Sequence, residues 1–289
     1  MDWAEGWAHG ALGVVNAIGT GGLGAAVALS LPLRVRVRRC SGYAGRSRVP
    51  DGVVEVDPVI LRAVDEATAE WLGSRPLSGL CAEAWTRIPY EAGLKGSSAL
   101  INALLEAALR LRGVEPPGLL GLARLGVKAA RKAGLTVTGA LDDHLAVSGC
   151  GGYATDNRRQ EILYTWKGWE GYAGIAVPGR RSIRTVSREA FARLGRAYRS
   201  AWRLLESGDW WGAAVLNGAA TAAATGGGAD TVLQALGLPG VVAAGVSGKG
   251  PAVYAVASTR REAEEAARWL AERTGTSMFL VAELLPCRG

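Results

Sequence analysis

A glycine- and serine-rich loop leads directly into a long apolar segment near the middle of the chain. The residues of this loop are Gly93, Leu94, Lys95, Gly96, Ser97, Ser98 and Ala99. The segment 100–109 is apolar except for one Asn and one Glu, and it predicts a buried helix that begins at the loop. Unpaired N–H groups and the positive end of the helix dipole would face the loop, whose glycines would let a bulky anion approach. The loop is therefore a candidate phosphate site.

Three side chains of this loop suit a nucleotide as the anion. The hydroxyls of Ser97 and Ser98 can donate to phosphate oxygens or bind a magnesium ion, and Lys95 adds a positive charge. On spacing alone, the same residues also suit an ordinary helix N-terminus with no ligand. Both interpretations stay open at the level of this loop.

Two adjacent carboxylates form a second candidate. Asp142 and Asp143 lie in the segment 138–144, which we predict to be a loop between apolar segments. Neighbouring carboxylates can bind a metal, and each can raise the pKa of the other, so one of them would suit proton transfer. A turn capped by the aspartates is the alternative. His144 is expected to be a neighbour of this site rather than a catalyst.

A third segment is a glycine-lined loop that precedes a strand late in the chain. Its glycines and polar residues are Gly245, Ser247, Gly248, Lys249 and Gly250. Such a loop can bind an anion through its backbone. It does not match the GxxxxGK[ST] motif, because Ala243 stands at the first glycine position and Gly250 follows the lysine. No other stretch fits that motif, so a P-loop kinase is excluded.

The charge distribution limits the kinds of partner. A net charge of +7 suits an anionic metabolite or a nucleic acid, and equally a basic surface with no anionic partner. The arginines are dispersed, and no dense Lys/Arg patch with interleaved aromatic residues is present. The sequence therefore predicts no nucleic-acid partner.

The cysteines and the hydropathy pattern predict a cytoplasmic protein without membrane contact. The four cysteines are Cys40, Cys81, Cys150 and Cys287. They form no CxxC pair, so a zinc site built on paired cysteines is excluded and reduced thiols are expected. The segment 10–33 carries no charged side chain, but it is rich in Gly, Ala, Ser and Thr and follows no basic region. It therefore predicts neither a membrane span nor a signal peptide.

Strand and helix patterns are mixed along the chain. Apolar residues alternate with arginines over 31–38 and predict a half-buried strand, while Asp57 and Pro58 predict the start of a helix that ends near 72. Further strands are predicted at 53–56, 162–166, 174–177, 252–256 and 277–283, and further helices at 119–133, 188–206, 210–224 and 260–273. Because strands and helices do not alternate strictly, the predicted fold class is α+β.

In their order, these segments resemble the conserved motifs of the GHMP kinases, which phosphorylate small molecules with ATP. The first motif resembles residues 8–18, the second the loop 93–99, and the third the loop 245–251. The resemblance spans nearly the whole chain. It implies an N-terminal ATP-binding domain over 1–152, similar to the second domain of ribosomal protein S5, and a C-terminal α+β domain over 153–289.

Within this superfamily, four details resemble the archaeal shikimate kinases. They are His-Gly-Ala at 9–11 followed by Val-Asn-Ala-Ile at 15–18, Gly-Leu-Lys at 93–95, Thr-Gly-Ala-Leu-Asp-Asp at 138–143, and Thr-Asp-Asn-Arg at 155–158. The resemblance implies transfer of the ATP γ-phosphate to a hydroxyl of shikimate, with Mg²⁺ as cofactor. The alternatives are a homoserine or mevalonate kinase, a non-catalytic metabolite-binding relative, and a nucleic-acid-binding protein.

The resemblance also implies roles for single residues. Asp142 matches the aspartate that orients or deprotonates the attacking hydroxyl, with Asp143 as the alternative, and Ser98 matches a magnesium ligand. Mevalonate and homoserine kinases carry a magnesium-binding glutamate shortly before that aspartate. No acidic residue lies between Glu115 and Asp142 here, so we expect Asp143 to supply the missing carboxylate to the metal.

Four residues are expected to contact the acceptor. His9 or Asn16 would take the place of a first-motif lysine that several relatives have, although His9 suits a structural role equally well. Arg158 is the expected clamp for a substrate carboxylate, because its planar guanidinium binds carboxylates in a bidentate way. A turn with a solvated Arg158 is the alternative. Asn217, in an alanine-rich helix, is a weaker candidate.

Overall fold

Strands and helices are mixed along the chain in the computed structural model, which describes residues 3–136, 138–182, 185 and 187–287. The strands are β1 Ala4–Val15, β2 Leu23–Arg39, β3 Tyr43–Val49, β4 Gly52–Glu55, β5 Leu80–Thr86, β6 Gly152–Asp156, β7 Glu161–Trp166, β8 Tyr172–Ala176, β9 Val241–Val246, β10 Val253–Ala257 and β11 Phe279–Glu283. The helices are α1 Ala17–Thr20, α2 Pro58–Trp71, α3 Gly96–Leu111, α4 Leu119–Lys132, α5 Leu141–Ala146, α6 Arg188–Arg193, α7 Gly195–Glu206, α8 Trp210–Ala224, α9 Ala229–Ala235 and α10 Arg260–Thr274.

The strands form two sheets. The larger sheet has seven strands, six of them in the order β4-β3-β5-β2-β6-β7, with β1 paired to the opposite edge of β2. Strand β2 is long enough to pair with β5 through its second half and with β6 through its first half. The smaller sheet has four strands in the order β11-β8-β10-β9. The predicted α+β class is confirmed.

The second half of β2 has one buried face and one exposed face, as its sequence pattern predicts. Leu33, Val35 and Val37 are at most 3% exposed, because they face the core of the larger sheet. Arg34 and Arg38 alternate with them on the exposed face. The predicted half-buried strand is confirmed, and so is the helix that Asp57 and Pro58 begin.

Helix α3 packs against β1 and β2 and carries the loop 93–99 at its N-terminus. Ten of its sixteen residues are buried, in agreement with the apolar pattern. Gly6 of β1 allows the helix to come close, since a Cβ at this position would lie 2.0 Å from the Ala103 carbonyl oxygen. The middle of α3 therefore packs closely against β1, the strand that contains most of the first motif.

Several elements differ from the sequence-based expectations. Strand β1 is not predicted from the sequence, because its glycines interrupt the alternation of apolar and polar residues that marks a strand. It forms because it pairs with β2. The expected helix 188–206 is divided into α6 and α7 at Leu194. The expected loop at 138–144 is wrong for its second half, where the short helix α5 contains both aspartates in its first turn. These differences arise from tertiary contacts that no local pattern records.

The expectation of reduced thiols is also wrong for this structure. Cys40 pairs with Cys81, and Cys150 pairs with Cys287. Cys40 follows the end of β2, and Cys81 is the second residue of β5, which is the neighbouring strand in the sheet. The partners are 41 and 137 residues apart in sequence, so only the strand pairing and the return of the chain end bring them together.

The two sheets are connected near the end of the chain. An isolated bridge joins Leu29 to Leu284, and the Leu285 N–H donates to the Ala28 carbonyl. The larger sheet continues through β7 to Trp166, while the domain boundary at 152 stays a prediction. Among the described residues, no helix has both the length and the apolar character that a bilayer crossing requires.

Candidate active site

A cavity of about 370 Å³ lies where the three motifs meet. The predicted site residues that line it are Asn16, Gly93, Lys95, Gly96, Ser97, Ser98, Asp142, Asp143, Asn217, Gly248 and Lys249. Part of the cavity wall is apolar and includes Val49, Val56, Ile60, Ile88 and Leu135. Segments that are far apart in sequence therefore share one cavity whose wall has polar and apolar parts.

The second and third motifs are held together by Ser247, which does not itself line the cavity. The Ser247 hydroxyl donates to the Gly93 carbonyl at 2.9 Å and accepts from the Gly13 N–H at 3.1 Å. Gly93 has a φ of +86°, and a Cβ there would lie 2.5 Å from the Ser247 carbonyl oxygen. This position therefore requires glycine, and Ser247 connects all three motifs.

Helix α3 begins at Gly96, directly beside the cavity. Lys95 precedes it in the left-handed conformation, with a φ of 63°, and its side chain makes no capping hydrogen bond. The N–H groups of the first turn are therefore left without a side-chain cap and can bind an anion. Ser97 is exposed and Ser98 is buried, while Leu94 and Ala99 pack beneath the loop and do not line the cavity.

Asp142 is the most deeply buried carboxylate in the cavity wall, with 3% of its surface exposed. The Asn157 side-chain amide donates to Asp142 Oδ1 at 2.8 Å, and Asn157 Oδ1 also accepts from the Leu141 N–H. Burial, followed by the neighbouring Asp143 charge, raises the pKa of Asp142 to about 7. A carboxyl group with this pKa exchanges its proton near neutral pH, as a catalytic base requires.

Gly24 of β2 packs directly against this carboxylate. A Cβ at Gly24 would lie 2.7 Å from both Asp142 oxygens and 2.8 Å from Asn157 Nδ2. Local sequence patterns do not identify Gly24, since its role depends on the packing of β2 against α5. In the sequence, Asn157 stands out only as part of the segment 155–158, and the structure shows that it is the partner of Asp142.

Asp143 faces Lys95 across the cavity. Their charged atoms, Lys95 Nζ and Asp143 Oδ1, are 2.7 Å apart, and the two side chains are 13% and 17% exposed. Burial alone would lower the pKa of Lys95, but the charges of Asp143 and Asp142 outweigh it and raise this pKa. Lys95 is therefore a cation in this structure, and it connects the second motif to α5.

Asn16 and Asn217 form a second polar wall. The Asn16 N–H donates to Asn217 Oδ1 at 2.8 Å, and Asn16 Nδ2 donates to the Gly248 carbonyl at 2.6 Å. Asn217 is 1% exposed, and its Nδ2 has no hydrogen-bond partner among the described residues. A buried donor without a partner is costly, which suggests that a ligand completes it.

Two predicted substrate residues lie outside the wall of the cavity. His9 Nε2 lies 2.8 Å from the Gly149 carbonyl oxygen, which is the structural role that the sequence left open. Arg158 is exposed, and its side chain packs along Gly21 and Gly22, which follow α1. Ala17 and Ile18 at the start of α1 do line the cavity, so Arg158 lies beyond this helix and outside the cavity wall.

His144 is buried behind the aspartates in a hydrogen-bond network. Asn102 Nδ2 donates to the His144 carbonyl and to Ser148 Oγ, both at 2.8 Å, so Asn102 Oδ1 faces His144 Nδ1 as an acceptor. Burial lowers the pKa of His144 to about 4, so the ring is neutral. His144 therefore supports α5 against α3, as a neighbour of the site.

Lys249 is a second cation in the cavity wall. Among the described residues its ammonium forms no ion pair, whereas its carbonyl accepts a hydrogen bond from Arg181. Burial lowers the pKa of Lys249 to about 8. Together with Lys95 and the first turn of α3, it makes this end of the cavity suited to a polyanion.

The oxygen groups of the cavity fit a magnesium ion. Ser98 offers a hydroxyl and Asp143 a carboxylate to the same cavity, and magnesium prefers such oxygen ligands. Within the described part of the chain, no group of three or more His, Cys, Asp or Glu side chains forms a complete metal site. The donor set therefore suits an ion that takes its other ligands from phosphate and water.

Comparison with known proteins identifies the family. The model of the GHMP kinase N-terminal domain matches residues 59–152, and the model of the GHMP kinase C-terminal domain matches residues 204–274. A protein of Aeropyrum pernix named shikimate kinase is 42% identical over 263 residues, covering 89% of this chain and 92% of that protein. A Pyrococcus furiosus protein of the same name is 34% identical, covering 88% and 92%.

Solved structures show the same fold at low sequence identity. Lactococcus lactis galactokinase matches with a TM-score of 0.72 and 15% identity, covering 99% of this chain and 94% of that one. Homoserine kinase from Cytophaga hutchinsonii matches with a TM-score of 0.70 and 17% identity, covering 100% and 96%. Together with the family models, these findings show that the chain belongs to the GHMP kinases, alongside the archaeal proteins named shikimate kinase.

Proposed function

We propose that this chain transfers the γ-phosphate of ATP to a hydroxyl of shikimate, giving 3-phosphoshikimate in aromatic amino-acid biosynthesis. The names of its relatives support this acceptor. The observation that carries the proposal is the position of Asp142, a buried carboxylate with a pKa of about 7, in the cavity that α3 opens onto. A donor such as ATP favours a cytoplasmic location.

The triphosphate would bind at the start of α3. The uncapped N–H groups of its first turn, the Ser97 hydroxyl and the Lys249 ammonium all border this end of the cavity. The apolar part of the cavity wall, which includes Val56 and Ile60, has the character to take the base of the nucleotide. This arrangement directs the phosphates towards α5.

Asp142 would act on the attacking hydroxyl. The acceptor oxygen forms a bond to the γ-phosphorus as the bond to the β,γ-bridging oxygen breaks, and ADP leaves with that electron pair. The hydroxyl proton passes to the Asp142 carboxylate, which Asn157 holds in place. In phosphoryl transfer, positioning and charge neutralisation contribute most of the rate, so the fixed orientation of Asp142 matters as much as its pKa.

Magnesium would be held by Ser98 and Asp143 together with phosphate oxygens. When bound, the ion neutralises charge on the β- and γ-phosphates. In this proposal Asp143, which pairs with Lys95, would have the metal role expected from the sequence, and Asp142, which accepts from the Asn157 amide, would act on the hydroxyl.

The acceptor would lie between Asp142 and the polar wall that Asn16 and Asn217 form. The free Nδ2 of Asn217 can donate to a carboxylate or hydroxyl of the acceptor. Arg158 remains our proposed carboxylate clamp, and reaching the acceptor would require its side chain to extend past α1. Of these two residues, Asn217 has the stronger structural support, since it is buried and lines the cavity.

An acceptor panel tests this proposal. ADP release is measured with ATP and Mg²⁺ in the presence of shikimate, homoserine or mevalonate, and we expect kcat/KM for shikimate to exceed the others by about 10⁴-fold, because a polar site rejects acceptors that leave its groups unpaired. Turnover with homoserine or mevalonate and none with shikimate would refute the acceptor assignment.

The Asp142→Asn variant tests the catalytic assignment. The amide keeps the shape of the side chain but cannot accept the proton, so we expect kcat to fall about 10²- to 10⁴-fold with ATP binding retained. Asp230→Asn, at an exposed position in α9, is the matched control and should keep full activity. Undiminished turnover in Asp142→Asn would show that another group acts on the hydroxyl.

A further inference from the structure

We propose that, in the nucleotide-free protein, the Lys95 ammonium occupies the cation position beside Asp143. A divalent cation can then bind the Asp143 carboxylate only when a bound nucleotide draws the Lys95 side chain away. This inference rests on the proposed function for the identity of the metal ligand. It deepens that function, since it explains how the metal and the nucleotide come to bind together.

The contact itself is specific and shielded. Lys95 Nζ and Asp143 Oδ1 are 2.7 Å apart, and neither side chain is more than 17% exposed. At this distance the Lys95 ammonium occupies the position in which a metal ion would bind Asp143 Oδ1. Because both groups are largely buried, removing either partner leaves an uncompensated charge in the cavity.

The backbone around Lys95 holds its side chain in this place. A Cβ at Gly13 would lie 3.3 Å from Lys95 Nζ, and one at Gly248 would lie 3.4 Å from it. The ammonium therefore lies between the first and third motifs, in space that two glycines leave open. The left-handed conformation of Lys95 places this residue at the turn into α3, where the phosphates would bind.

The charges in the cavity explain why a metal ion would replace the Lys95 ammonium only when a nucleotide is bound. Asp142 and Asp143 are neighbours, and Lys95 is the cation that lies close to both of them. A metal ion alone would have to displace Lys95 and leave its ammonium without a counter-ion. A triphosphate supplies that counter-ion, so the metal and the nucleotide should each strengthen the binding of the other.

Binding of Mn²⁺ to the nucleotide-free protein tests this inference. The free ion is followed by electron paramagnetic resonance, with neither ATP nor acceptor present. We expect weak binding to the unaltered protein and at least about tenfold tighter binding to Lys95→Met, because Asp143 is then free. Lys128→Met is the matched control, since it removes a lysine that lies outside the cavity wall and pairs with Glu70, and it should bind Mn²⁺ as weakly as the unaltered protein.

Two further variants keep the result interpretable. Lys95→Gln keeps a polar side chain in case Lys95→Met does not fold, and should also tighten Mn²⁺ binding. Adding Asp143→Asn to either variant should abolish the gain. Equal Mn²⁺ affinity in the unaltered protein and both Lys95 variants would overturn the inference. Because no acceptor is present, this outcome is distinct from a failed acceptor panel, which would refute only the proposed substrate.

Discussion

At the scale of single residues, the site depends on how one carboxylate is oriented. Asp142 is held by Asn157, and Asn157 in turn accepts from the Leu141 N–H at the start of α5. Gly24 also packs directly against the carboxylate. The orientation of Asp142 therefore depends on residues from β2, α5 and the end of β6.

The Gly24→Ala variant tests this orientation. The new methyl group would lie 2.7 Å from both Asp142 oxygens, so the carboxylate must move. We expect kcat to fall about 10- to 100-fold, because a displacement of this kind misaligns the reacting groups. The unfolding free energy should fall by about 1–3 kcal/mol, as is usual for an overpacked core. Both are measured with the ADP-release assay and by urea denaturation.

Gly227→Ala is the matched control for this change. Gly227 has no atom within 4 Å of the added Cβ and no left-handed φ, so the substitution should leave turnover unchanged. If Gly24→Ala also kept full turnover, the tight packing against Asp142 would have no catalytic role.

At the scale of secondary-structure elements, a buried ion pair joins α2 to the end of α3, outside the wall of the cavity. Arg112, after α3, donates to Asp65 of α2 at 2.8 Å, and their side chains are 9% and 0% exposed. The Tyr43 hydroxyl and the Leu77 N–H also donate to Asp65. This network ties α2 and α3 to β3.

The Arg112→Met variant tests the contribution of this network. It leaves the Asp65 carboxylate buried without its counter-ion, so we expect a loss of about 3–5 kcal/mol in the unfolding free energy. Arg193→Met is the control, since it breaks an ion pair with Glu189 in which both side chains are 75% exposed, and it should cost less than about 1 kcal/mol. Similar losses in the two variants, measured by urea denaturation, would contradict this account.

At the scale of the whole molecule, the two disulfides constrain distant parts of the chain. Cys40–Cys81 crosslinks neighbouring strands of the larger sheet, and Cys150–Cys287 holds the end of the chain against the turn after α5. Each closes a long loop, so each should lower the entropy of the unfolded chain.

Thiol titration and thermal unfolding test the disulfides. The denatured, unreduced protein should show no free thiols, and reduction should lower the unfolding free energy by about 2–4 kcal/mol for each bond. The Cys40→Ser/Cys81→Ser and Cys150→Ser/Cys287→Ser pairs separate the two contributions. Four reactive thiols in the purified protein would restore the expectation of reduced cysteines.

The local patterns of the sequence determined much of this protein. The apolar alternation over 31–38, the helix start at Asp57 and the buried helix after Gly93–Ala99 all follow from the next few neighbours in the chain, and the structure confirms them. The order of the three motifs indicated the GHMP kinases, which the comparisons confirm. These features are local, so the sequence records them directly.

Only the tertiary structure decided which groups meet. Lys95 and Asp143 are distant in sequence, as are Asn16 and Asn217, yet each pair is in contact. The disulfides, the burial of Asp142 and its partner Asn157 likewise depend on strand pairing and on the packing of α5. Contacts of this kind depend on long-range packing, which local propensity does not specify; the sequence alone therefore predicted the candidate groups, and the fold determined their partners and charges.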